Sequence, residues 1–84
     1  MSGTVSIRVL CFSHVRHVLG RNELPLELPP GSTTDDALRA VRELANGQLD
    51  ALPMRVARNR QYATEPEVLA DGDEIALIPP VQGG

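Results

Sequence analysis

Between the stop Pro29-Pro30-Gly31 and the pair Asn46-Gly47 lies one long stretch with helical periodicity, and its single apolar stripe dictates what the rest of the chain must supply. Ala37, Leu38, Val41, Leu44 and Ala45 follow the i, i+3, i+4, i+7 spacing, while Arg39, Arg42 and Glu43 point away. Ser32, Thr33 and Thr34 offer N-caps, Asp35 and Asp36 suit the positive end of the helix dipole, and Asn46-Gly47 is a C-terminal stop. The pattern predicts the main helix over residues 34–46. One apolar stripe needs one apolar surface to cover it, and the flanking segments read as strands that build such a surface.

Residues 4–12 alternate, with Val5, Ile7, Val9 and Cys11 on one face and Ser6, Arg8, Leu10 and Phe12 on the other. Residues 13–20 hold Val15, Val18 and Leu19 at helix-like spacing before Gly20, which suggests a short helix or an ordered connection. Residues 23–28 alternate again, but Pro25 has no N–H for a ladder, so that strand belongs at a sheet edge. Residues 55–58 and 61–63 form a hairpin through Asn59-Arg60, residues 65–69 read as a helical turn with Pro66 early in it, and Asp71-Gly72-Asp73 turns the chain. The last strand, residues 74–78, puts Ile75 and Leu77 on one face and Ala76 and Ile78 on the other before Pro79-Pro80 breaks the ladder. One helix across a mixed sheet, in the order β-β-α-β-(β)-β, is an α+β architecture of the β-grasp, ubiquitin-like kind.

Composition narrows the function classes. A chain of 84 residues has room for one domain with one modest core. That domain is expected over residues 1–80, with residues 81–84 as a tail. The net charge of -3 provides no excess of cations for a phosphate backbone or an anionic membrane, so neither nucleic acid nor membrane is expected as a partner. All eight basic residues are arginine, so no side-chain amine is present for Schiff-base chemistry or as an acceptor in conjugation. One cysteine excludes an intrachain disulfide, and with no basic-then-apolar leader at the N-terminus the expected compartment is the cytoplasm.

The tail Val81-Gln82-Gly83-Gly84 is the most informative segment. Two glycines after a proline pair bury nothing and add backbone entropy, so packing does not explain them. A backbone without Cβ atoms can thread a narrow channel in another protein and bring its carboxylate to a reactive centre. Residues 71–84, Asp-Gly-Asp-Glu-Ile-Ala-Leu-Ile-Pro-Pro-Val-Gln-Gly-Gly, resemble the C-terminal signature of the small subunits of molybdopterin synthase. Val9-Leu10-Cys11-Phe12 with Arg16 and Gly20, the Pro-Gly-Ser-Thr helix start at 30–33, and Val56-Ala57-Arg58-Asn59 extend the resemblance over nearly the whole chain.

The resemblance implies a sulfur carrier. An ATP-dependent enzyme similar to ubiquitin-activating enzymes adenylates the Gly84 carboxylate, a sulfur donor protein converts the adenylate to a thiocarboxylate, and the large synthase subunit uses that sulfur to build the molybdopterin dithiolene. The chain itself then needs no bound cofactor, the catalytic pocket belongs to the large subunit, and Gly83, Gln82 and Val81 are the threading residues. Two alternatives share the tail: a thiamine-type sulfur carrier, whose chains are usually shorter, and a ubiquitin-like protein modifier. The Pro-Pro-Val-Gln-Gly-Gly ending favours the first reading.

Other candidates read as structure. Cys11 shares the core face with Ile7 and Val9, and a buried cysteine is ordinarily inert packing. His14 and His17 lack a third ligand nearby, and Asp71, Asp73 and Glu74 lack the spacing of a calcium loop, so no metal site is expected. Leu10, Phe12, Ala76 and Ile78 differ, because they alternate opposite to the helix-facing residues. If the first and last strands are neighbours, these four leave one sheet face apolar and, with Pro79 and Pro80, form a surface for a partner.

Overall fold

The computed structural model describes residues 3–79. The expected tail residues Val81, Gln82, Gly83 and Gly84, with Pro80 and the boundary between domain and tail, lie outside the described residues. The elements are β1 (Val5–Cys11), α1 (Ser13–Leu19), β2 (Glu23–Leu28), α2 (Thr34–Leu44), β3 (Arg55–Arg58), β4 (Gln61–Tyr62) and β5 (Glu74–Ile78). They build one five-stranded sheet in the order β2-β1-β5-β3-β4. Strand β5 runs parallel to β1 and antiparallel to β3, so the last strand in sequence is the central one in space.

Alternation in β1 and β5 decides which face is covered. Ile7, Val9, Cys11, Ile75 and Leu77 are buried in one core cluster with Ala37, Val41 and Ala45 from α2 and its C-terminal boundary. Val15 of α1 is also fully buried there, and Gly20 ends α1 in the left-handed conformation (φ 73°) with its N–H bonded to the Arg16 carbonyl. Strand β2 is an edge as expected, with Pro25 opposite Arg8. The other edge, β4, is two residues long. The hairpin turns through Asn59 (φ 50°) and Arg60 (φ 73°), the paired positive φ values that a two-residue turn between right-twisted strands requires.

The expectations for the helices and the loop before β5 need three corrections. Helix α2 starts with a capping box, in which Thr33 and Asp36 exchange hydrogen bonds, but it ends at Leu44 rather than at residue 46. Leu44, the last helical residue, is exposed, and the fully buried Leu49 joins the core instead. Arg42 does not point into solvent either. It is half-buried, and its guanidinium donates to the carbonyls of Leu49 and Leu52, holding the loop that carries Leu49 inward.

Residues 65–69 form no helical turn. The Thr34 N–H donates to the Glu67 carbonyl, the Leu69 N–H to the Ser32 carbonyl, and Val68 bridges Thr33, so the segment is stretched across the start of α2. Five residues offer too little internal bonding to nucleate a helix against those partners. An extended backbone also lets Leu69 enter the core while Val68 faces out.

Candidate functional site

Strand register assembles the site. Leu10 pairs with Ala76, Ala76 with Ala57, and Ala57 with Tyr62, so one apolar row crosses β1, β5, β3 and β4 on the face that α2 does not cover. Phe12, at the N-cap of α1, and Ile78, at the end of β5, continue it toward the point where the chain leaves the sheet. These residues line a groove of roughly 380 Å³ together with Arg60 and Glu74. Phe12 is 44% and Tyr62 53% exposed, a large apolar surface for so small a domain.

The structure therefore gathers Leu10, Phe12, Ala76 and Ile78 as the alternation predicts, with Pro79 directly after Ile78 and half-buried. Sequence reasoning missed Ala57 and Tyr62. Their signal was present: a hairpin turning at Asn59-Arg60 sets Ala57 opposite Tyr62, but placing that pair on this face also requires knowing that β3 lies beside β5.

Polar residues frame the groove. Arg8 bridges Glu23 and Glu74 at 3.0 and 3.1 Å, closing its far end with an ion-pair row. On the β4 side the Arg55 guanidinium lies over the Tyr62 ring, 4.4 Å from its centroid.

The start of β5 is fixed by a polar node. The Asp73 carboxylate, 7% exposed, accepts from the Ala70 N–H (2.8 Å), Arg58 Nε (2.8 Å) and Asn59 Nδ2 (3.0 Å). Asn59 in turn accepts the Glu74 N–H at 3.0 Å, and Arg58 also reaches Glu67 at 3.3 Å. Burial alone pushes the Asp73 carboxyl upward, but the Ala70 N–H, the Asn59 amide and Arg58 outweigh it and hold the group below the usual carboxylate range. Sequence reasoning took this residue as part of a turn; it is also the anchor that joins the hairpin to β5.

Cys11 is 2% exposed in the core, and burial pushes its thiol up, only partly offset by Arg21, so it remains a protonated packing group. His14 and His17 stack with centroids 6.3 Å apart, and among the described residues no three His, Cys, Asp or Glu side chains converge on a common point. A larger groove of about 550 Å³ lies on the helix side between α2 and β3, lined by Thr34, Asp35, Leu38, Met54 and neighbours, without a continuous apolar row. No helix among the described residues is long and apolar enough to cross a membrane.

A mixed sheet of this order crossed by one main helix, presenting an apolar face beside its outgoing central strand, defines a β-grasp domain of the ubiquitin-like kind. The chain belongs to the ThiS family, whose match covers residues 9–84. It is similar to the molybdopterin synthase sulfur carrier subunit of Chlamydomonas reinhardtii, with 39% identity over 95% of this chain and 100% of that protein. The subunit of the same name from Arabidopsis thaliana is 33% identical over 99% of this chain and 88% of its own length. Among solved structures, small archaeal modifier protein 1 of Haloferax volcanii superposes with a TM-score of 0.82 at 26% identity, covering 92% of this chain and 99% of that one.

Proposed function

We propose that this chain is the sulfur carrier subunit of a molybdopterin synthase, and that its working group is the Gly84 carboxylate. One observation carries the reading to this chain: the central strand β5 ends at Ile78 on the exposed apolar row, so a partner seated on Leu10, Phe12, Ala76 and Ile78 sits where the chain runs on toward Gly83-Gly84. The two plant and algal relatives, which bear that name, support it.

Chemistry at the tail follows from what a carboxylate lacks. An oxyanion is a poor leaving group, so it is first joined to adenylate as a mixed anhydride by a ubiquitin-activating-like adenylyltransferase, which consumes the ATP. Sulfur at the sulfide level, delivered by a sulfur donor protein, then attacks the carbonyl carbon, the C–S bond forming as the C–O bond to AMP breaks and AMP leaves, which puts a thiocarboxylate on Gly84. In the large synthase subunit that sulfur is the nucleophile that builds the dithiolene, while the large subunit supplies acid, base and substrate pocket. Gly83 and Gly84 leave the approach of both enzymes unobstructed, with Val81 and Gln82 as the threading residues, and Pro79-Pro80 have no N–H with which to continue a ladder. The setting is the cytoplasm.

Intact mass of the protein isolated from its own cells tests this, since exchange of one terminal oxygen for sulfur makes it heavier. Oxidation of Met54 adds nearly the same mass, so the C-terminal fragment decides. A C-terminal fragment bearing only oxygen, with the activating system present, would refute the proposal.

The likeness to an archaeal modifier protein favours one second reading, a carboxylate that ends in an isopeptide bond. This chain has no lysine, so such bonds form only with other proteins, and a ladder of larger species on denaturing gels identifies that use.

A further inference from the structure

The apolar row is bordered on the β3–β4 side by two guanidiniums that the fold leaves under-neutralised. The Arg60 side chain is 87% exposed, and its nearest carboxylate, Glu74, is 4.0 Å away and already held by Arg8 at 3.1 Å. Arg55 shares the face through its register with Ile78, rests on Tyr62, and takes part in no ion pair among the described residues. This local excess of positive charge runs against the net charge of -3 for the chain.

We infer that the surface of the large subunit that docks on this face carries carboxylates opposite Arg55 and Arg60. The inference rests on the docking reading above and adds its electrostatics. A cationic rim on an anionic molecule has a definite consequence for encounter: an acidic partner is repelled by the chain as a whole and drawn only toward the groove. Charge then selects the orientation in which the apolar rows meet and the tail points into the partner. The Arg8–Glu23–Glu74 row at the far end sets one cation against two carboxylates, so it adds nothing to the positive rim.

Stopped-flow association of the full-length chain with its purified large subunit tests this. Arg60→Glu, alone and with Arg55→Glu, is expected to slow association about tenfold at low salt, within the range electrostatic steering spans. The difference should collapse at roughly 0.5 M salt, where the screening length is under about 5 Å. Arg60→Lys should keep the wild-type rate. Charge reversal that leaves the low-salt rate unchanged, or raises it, overturns the inference. Arg60 is nearly free of contacts, so its single variant remains decisive even if the double variant is unstable. Phe12→Asp, measured alongside, separates the two levels: unchanged affinity there removes the docking face and this inference with it, whereas lost binding combined with charge-insensitive rates removes the acidic rim alone.

Discussion

Replacing Asp73 with alanine should be the most damaging polar change in this domain. The carboxylate accepts three hydrogen bonds of 2.8, 2.8 and 3.0 Å, one of them from a guanidinium. At about 1.5 kcal/mol for each of the bonds from the Ala70 N–H and Asn59, the low end for a charged acceptor, and little more from Arg58, which is 28% exposed and regains water, the loss is about 3 kcal/mol. A domain of 84 residues has roughly 4–13 kcal/mol in all. With a urea m-value of about 1 kcal/mol/M, the midpoint should fall by about 3 M. Asp73→Asn should lose less, because its amide oxygen in the place of Oδ2 still accepts from Arg58 and the Ala70 N–H, and only the Asn59 amide then meets a donor. Circular dichroism during urea titration reads the effect, and pH supplies the sign. The folded-state pKa of Asp73 lies below the unfolded value of about 3.9, so its contribution is complete above that value and is lost as pH falls through the folded pKa. The gap between wild type and Asp73→Ala should therefore be constant from pH 7 down to about 5 and narrow below about 4. A midpoint shift under about 0.5 M, or a gap that widens in acid, would refute the assignment of Asp73 as the anchor of β5.

Deleting Gly84, or extending the chain beyond it, should abolish sulfur transfer while leaving the melting temperature unchanged; transfer that survives either change refutes the tail chemistry. Gly83→Val should act likewise through crowding in the partner channel, and a large fall in melting temperature would show instead that the tail packs on the domain. Cys11→Ala should cost about 1 kcal/mol by emptying a small buried volume, with sulfur transfer retained, and loss of transfer from the folded variant would make Cys11 a participant. Phe12→Asp should weaken association with the large subunit by about 2 kcal/mol or more in titration calorimetry, since the charge is desolvated only in the complex, while circular dichroism reports an intact fold.

Where local chemistry and tertiary packing agree, the sequence could be read nearly residue by residue. Alternation in residues 74–78 matches β5, Pro25 marks an edge because a missing N–H can only be tolerated there, and Asn59-Arg60 supply the turn of the hairpin. Reading failed where distant groups intervene. Residues 65–69 have an acceptable helical start in isolation, and the backbone of Ser32, Thr33 and Thr34, with the Thr34 hydroxyl and Arg58 on Glu67, holds them extended. Leu44 satisfies the helical stripe, yet Leu49 takes the core position because Arg42 secures the carbonyls of its loop. For the site, four of the six apolar residues, Leu10, Phe12, Ala76 and Ile78, could be foreseen from the alternation in the first and last strands. Ala57 and Tyr62 join it through strand order, which no local pattern encodes.

The central place of β5 also has a mechanical meaning. Tension applied beyond Ile78 along the axis of this strand would load β5, which is bonded to β1 from Arg8↔Glu74 to Cys11↔Leu77 and to β3 from Arg58↔Ile75 to Arg55↔Ile78. Load along that axis falls on both ladders together, in shear, and cannot open them rung by rung as it would if the strand were peeled from an edge. Such tension is thus shared between two ladders at once, so the strand that leads to the C-terminus is the one the sheet holds from both sides.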